Sequence, residues 1–167
     1  NLLGKKTYRI FLILNGVLGP LLLGTAVGTF FTGAEFVVNK EQLSEVAMPV
    51  ISSWANPLHG LEAAFNPWNL MLGLAVFFLS RVLALLYFIN NINDTNIYDR
   101  CRSQLRKETI PFLLFFLAFV INLVLTEGFA VDPQSQVVFM QPFKYFIHLT
   151  QMPAVGAVLL VGVIAVL

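Results

Sequence analysis

Charge is what this sequence has least of: charged side chains make up 11% of its 167 residues, against roughly 25% in a soluble domain. With 57% hydrophobic residues, the composition is that of an integral membrane protein and excludes a water-soluble globule. A single cysteine, Cys101, excludes an internal disulfide and cannot build a thiolate metal site alone. A net charge of +1 implies no bulk attraction to nucleic acid, so none is expected as a partner. The start of the chain lacks the charged region, short apolar core and small-residue cleavage site of a signal peptide. No H-E-x-x-H, P-loop, G-x-S-x-G or C-x-x-C occurs, which leaves no self-contained active site to read. The first residue is not a methionine and the last lies inside an apolar run, so an internal piece of a longer protein is expected.

What is present is a set of long apolar runs. The most informative is NPWNLMLGLAVFFLSRVLALLYFINNIN, residues 66–93. Asn66 is placed to cap free amides, Pro67 suits a first helical turn, and Trp68 stands at an interfacial level. At about 1.5 Å per residue, a helix over 67–89 is roughly 34 Å long, enough for a hydrocarbon core of about 30 Å. Residues 10–31 form a first spanning helix after Lys5, Lys6 and Arg9. Within it Gly24 and Gly28 make a G-x-x-x-G face for close packing, and Pro20 predicts a bend by depriving the Gly16 carbonyl of its donor. A third spanning helix is expected over 110–131, with Pro111 in its first turn, Asn122 in mid-span and Glu127 near the far end. A fourth begins over 152–167, short of the roughly 20 residues needed to cross. The fold class is therefore all-α, a membrane helical bundle of about four helices, the fourth truncated, in one transmembrane region over 1–167.

Three connectors separate these runs. Residues 32–66 carry Glu35, Glu41, Glu45 and Glu62 against Lys40, with Pro49 and Pro57, and read as a polar connection; the apolar patch 46–54 is too short to span. Residues 90–109 read as a solvated connector rich in Asn, Asp, Arg and Lys, with Asn93-Asp94-Thr95 matching a glycosylation sequon that recurs by chance. Residues 132–151 hold Pro133, Pro142, Lys144, Tyr145 and His148. Arg100, Arg102, Arg106 and Lys107 place 90–109 on the cytoplasmic side with the basic start of the chain, and put 32–66 and 132–151 outside.

Each candidate residue has a functional and a structural reading. Arg81, within the second helix, could face an anionic intermediate, a lipid phosphate or a haem propionate, or could be a structural arginine bonded to helix carbonyls. Matching depths along the helices predicts a bond to Asn15 or to the Gly16 carbonyl, and not to Glu127. Glu127 reads either as a proton-pathway acid or as a hydrated interfacial glutamate. His59 and His148 lack a partner at helical spacing for haem ligation and read as surface residues. The Phe112, Phe115, Phe116 and Phe119 face reads as packing or lipid surface.

The stretch GPLLLGTAVGTFFTGAEF (19–36), then LEAAFNPWNLMLGLAVFFLSRVLALLYF (61–88) and a basic connector, resembles subunit II of the cytochrome bd quinol oxidases. The shared pattern G-x-A-x-G-x-x-x-x-G-x-x-F falls on Gly24, Ala26, Gly28, Gly33 and Phe36, and an N-P-x-x-L-L-x-G helix start is approached by residues 66–73. The resemblance covers roughly residues 9–131. It implies a subunit of about eight helices, of which these would be four to seven, in the bacterial cytoplasmic (inner) membrane. It implies a partner subunit I that carries haem b, haem d and the quinol site, with quinol and dioxygen as substrates of the complex and membrane lipid around it. No haem and no catalytic residue is carried over to this stretch, and Arg81 matches no motif of the family. A fragment of a membrane transporter, with Arg81 and Glu127 lining a path, and a structural anchor subunit are the alternatives.

Overall fold

A computed structural model describes residues 4–38, 52–132, 134 and 137–166. The chain divides into two compact units, Asn1–Leu117 and Ala118–Leu167, with the boundary inside the third long helix. The fold is an all-α membrane bundle: among the described residues three helices are long and apolar enough to cross a bilayer, or up to four if one bent pair counts as a span.

In the first unit, α1 (Lys5–Thr32) starts five residues before the apolar run, so Lys5, Lys6 and Arg9 form its opening turns. The helix is continuous through Pro20 and stops at Gly33, whose φ of 76° is open to a residue without a Cβ and whose amide donates to the Thr29 carbonyl. Two short strands follow in the connector, β1 (Phe36–Val38) and β2 (Ser52–Trp54), paired antiparallel with Phe36 opposite Trp54. Most of the apolar patch 46–54, together with Lys40, Glu41, Glu45 and Pro49, lies outside the described residues; its end, 52–54, is β2. His59 and Gly60 then turn the chain through left-handed conformations (φ 51° and 90°). The Trp54 ring lies where a Gly60 Cβ would be, at 2.9 Å, so the corner needs a glycine.

A one-turn 3-10 helix (Leu61–Phe65) leads into α2 (Pro67–Asn91). Asn66 caps α2 by accepting from the Trp68 amide at 3.0 Å, with Pro67 in the first turn. Only residues 92–94 separate α2 from α3 (Thr95–Leu125). Most of the connector expected over 90–109 is thus helix. Its start is set by Asp94, whose carboxylate accepts from the Asn96 and Ile97 amides at 2.8 and 3.1 Å. Hydropathy marks only the part of a helix that faces lipid, so the polar turns before residue 110 look like loop in the sequence; Pro111 consequently sits inside α3 rather than in its first turn.

In the second unit the helix ends at Leu125, short of residue 131. Residues expected to be its last turns form β3 (Gly128–Val131), paired antiparallel with β4 (Val138–Gln141). A β-branched and aromatic stretch is equally apolar as strand or helix, and only the partner strand decides. The linker expected over 132–151 therefore holds β4 and a short helix, α4 (Lys144–Gln151), and α5 (Pro153–Val166) follows at a 103° bend.

Candidate functional site

Two polar features interrupt the apolar surfaces of the first unit. The first is a close seam between α1 and α2. A Cβ on Gly24 would stand 2.7 Å from the Gly73 Cα and 2.9 Å from the Leu72 carbonyl oxygen, and one on Gly28 would stand 3.0 Å from the Asn69 Cα. A Cβ on Gly73 would meet the Thr25 methyl at 2.7 Å and the Leu21 carbonyl oxygen at 2.8 Å. Positions rise on α1 as they fall on α2, so the two helices are antiparallel, with backbones as close as small residues permit. Thr25 turns its hydroxyl to the Leu22 carbonyl of its own helix and leaves its methyl against Gly73.

Asn69 sits at the end of this seam, fully buried. Its Oδ1 accepts from the Thr32 hydroxyl at 2.9 Å, and its Nδ2 donates to the Ala63 carbonyl at 2.8 Å. One side chain thus ties α1, α2 and the 3-10 turn together. The sequence reading passed over it. The available signal was a polar residue four positions before Gly73 on one helix, facing Gly28 on another. Beside it in the 3-10 turn, both Glu62 carboxylate oxygens are enclosed, with no hydrogen-bond partner among the described residues.

The second feature joins α2 to α3. The Arg81 guanidinium donates to Glu108 Oε1 at 2.5 Å, and the Gln104 amide donates to the same oxygen at 2.7 Å. Glu108 is buried, with 7% of its side chain exposed, whereas Arg81 is 47% exposed. The Arg81 Cζ also lies 5.8 Å from the centre of the Phe77 ring, within cation–π range. Phe78 of α2 and Phe115 of α3 stack at 5.9 Å, so this contact is made by long side chains.

The expected bond from Arg81 to Asn15 or Gly16 is not formed. Both of those residues are exposed, and nothing lies within 4 Å of a Gly16 Cβ position. The depth was matched, but depth does not choose a face. At about 100° per residue, Gly16 and Arg81 each stand roughly 80–120° round their helices from the α1–α2 seam. Glu108, in the stretch whose polarity reads as a loop, lies instead on α3, on the face toward Arg81.

The other candidates belong to the second unit or to corners. Asn122 is half-buried near the end of α3, where its carbonyl accepts from the Thr126 hydroxyl at 2.7 Å. Glu127 is exposed between α3 and β3. His59 is exposed, its ring edge-on to Trp54 at 6.5 Å, and His148 is half-buried on α4. Phe112 and Phe119 are buried. Among the described residues no three of His, Cys, Asp or Glu gather where a metal could be held. Among the described residues the seam and the bridge act as two helix-to-helix fasteners.

A family model described as cytochrome bd terminal oxidase subunit II matches residues 2–167. The comparisons with curated proteins and with solved structures found no match.

Proposed function

We propose that this chain, which belongs to the cytochrome bd terminal oxidase subunit II family, supports a haem-bearing subunit I in quinol oxidation and dioxygen reduction. The observation that carries this is the family match over nearly the whole chain. The family makes the chain a multi-pass membrane component of a haem-dependent oxidase. The finer reading places the complex in the respiratory chain of a bacterial cytoplasmic membrane, with α2 and α3 joined on the cytoplasmic side next to Arg100, Arg102, Arg106 and Lys107.

The described residues do not fit a haem. An axial histidine is expected in a pocket of controlled polarity, whereas His59 is exposed at a left-handed corner and His148 is half-buried on a short helix. The family resemblance assigns the haem groups to the partner subunit, and in this reading the role of this chain is to present a rigid helical surface to it. The α1–α2 seam and the Arg81–Glu108 bridge supply that rigidity. Neither feature binds quinol or dioxygen in this reading.

The complex purified through a tag on this chain, with its full polypeptide, tests the proposal. A reduced-minus-oxidised difference spectrum is expected to show both b-type and d-type haem bands, together with quinol-dependent oxygen uptake. A tagged complex without haem bands would contradict the assignment and favour the transporter reading.

A further inference from the structure

We propose that the β3–β4 hairpin of the second unit lies on the membrane, with one face seated in lipid at the boundary of headgroups and acyl chains. Directly opposed residues of an antiparallel pair point to the same side, so Phe129 with Met140 and Val131 with Val138 form one face, and Gly128 with Gln141 and Ala130 with Phe139 the other. The second face is the one that packs. Gly128 and Ala130 are buried, and the Lys144 Cβ of α4 is 2.8 Å from where a Gly128 Cβ would stand. The first face has no cover among the described residues: Phe129, Val131, Val138 and Met140 are 76, 56, 58 and 49% exposed. All four are apolar, and no polar side chain interrupts them.

What covers this face follows from where the hairpin is attached. Only Thr126 and Glu127 separate β3 from the end of α3, a helix long and apolar enough to span. On the other side α4 leads through Met152 alone into α5, which has no polar side chain. The axes of α4 and α5 differ by 103°. With α5 tilted by the roughly 20° usual for a helix in a bilayer, α4 lies within about 35° of the membrane plane. The hairpin packed against it is thereby held at the surface. In water an apolar face of this kind would invite association; at the membrane it continues the lipid contact that α3 and α5 make. Its size selects lipid over a protein. A stable protein interface takes roughly 20–30 residues from each side, whereas interfacial contact with lipid scales with the apolar area and has no such minimum. The side of α4 that exposes Thr150 and Gln151 beside Phe146 is left to water. Glu127, exposed just before β3, stands at the hydrated headgroup level, as an interfacial glutamate does. The contact holds for either orientation of the chain; that it is made in the outer leaflet rests on the orientation given under the proposed function.

The whole complex reconstituted in phosphatidylcholine vesicles tests this, with Cys101→Ser giving the background and Met140→Cys or Thr150→Cys carrying a nitroxide label. In paramagnetic resonance the Met140→Cys label is expected to be relaxed several times more by dissolved oxygen, which concentrates among acyl chains, than by a water-soluble nickel chelate. The Thr150→Cys label is expected to show the reverse. A Met140→Cys label reached chiefly by the chelate would overturn the proposal by placing the face in water. A label reached by neither would overturn it by showing a protein cover, from the partner subunit or from this chain. In the unaltered complex, phosphatidylcholine with a photoreactive group on its acyl chain is expected to label the hairpin, residues 128–141. Absence of that label would overturn the proposal however the variants fold. The haem difference spectrum is recorded on each preparation. Absent haem bands count against the oxidase reading, and the lipid contact is judged independently by relaxation and labelling.

Discussion

Gly28→Leu is expected to destabilise the complex by about 3–5 kcal/mol and to remove most of it from the membrane. The estimate has two parts. Even a Cβ at this position would stand 2.7 Å from Asn69 Oδ1 and 3.0 Å from the Asn69 Cα. The first atom could swing aside, but the second is backbone, so the helices must separate. Overpacking of this kind costs about 1–3 kcal/mol. Separation also breaks the Thr32–Asn69 and Asn69–Ala63 hydrogen bonds, worth about 1 kcal/mol each and leaving Asn69 buried without partners. Gly28→Ala is expected to fall between the unaltered chain and Gly28→Leu. Thermal unfolding of the purified complex and its yield in membranes read the effect; an unchanged unfolding temperature in Gly28→Leu would show that α1 and α2 do not meet there.

Removing Glu108 is expected to be more harmful than removing its whole pair. In Glu108→Ala the Arg81 guanidinium stays among apolar helix faces with only the Phe77 ring for company, and Gln104 loses its acceptor. Hydrogen bonds to charged groups contribute about 1.5–3 kcal/mol. Because Arg81 is 47% exposed and can turn outward, the lower part of that range, about 1.5–2 kcal/mol, is expected. Arg81→Leu/Glu108→Leu removes both charges and leaves apolar side chains in a bundle already lined by phenylalanine, so it is expected to cost less than Glu108→Ala. The cycle built from Arg81→Leu, Glu108→Leu and the double Arg81→Leu/Glu108→Leu should show a coupling of about 1–2 kcal/mol. Additive effects would mean that the bridge does not hold α2 to α3.

The parts of this fold legible in the sequence are those that depend on local order. Run length and hydropathy locate the spans, and the Asn66-Pro67 start of α2 is visible because a cap and a first-turn proline act within one turn. The ends of α1 and α3 were not legible from hydropathy, since a helix continues past the bilayer at no cost to its hydrogen bonds. The Asp94 cap gave the true start of α3, and reading it would have put Glu108 on a helix within reach of Arg81. Facing was less legible still. Glycine spacing identifies a close-packing face on α1, but that Gly24 and Gly28 meet Gly73 and Asn69 depends on the rotation of a second helix. The strand pairings, Phe36 with Trp54 and Gly128 with Gln141, are non-local and leave almost no trace in runs this short.

The central claim is that this chain crosses the membrane several times with its α2–α3 turn on the cytoplasmic side. Single cysteines placed at the exposed Leu58 and Asn96 positions in the assembled complex, labelled with a membrane-impermeant thiol reagent, test it most directly. Leu58→Cys is predicted to react in sealed cells and Asn96→Cys only after the membrane is opened, with the unaltered chain giving the background of Cys101. Reaction of both from the same side would contradict the account.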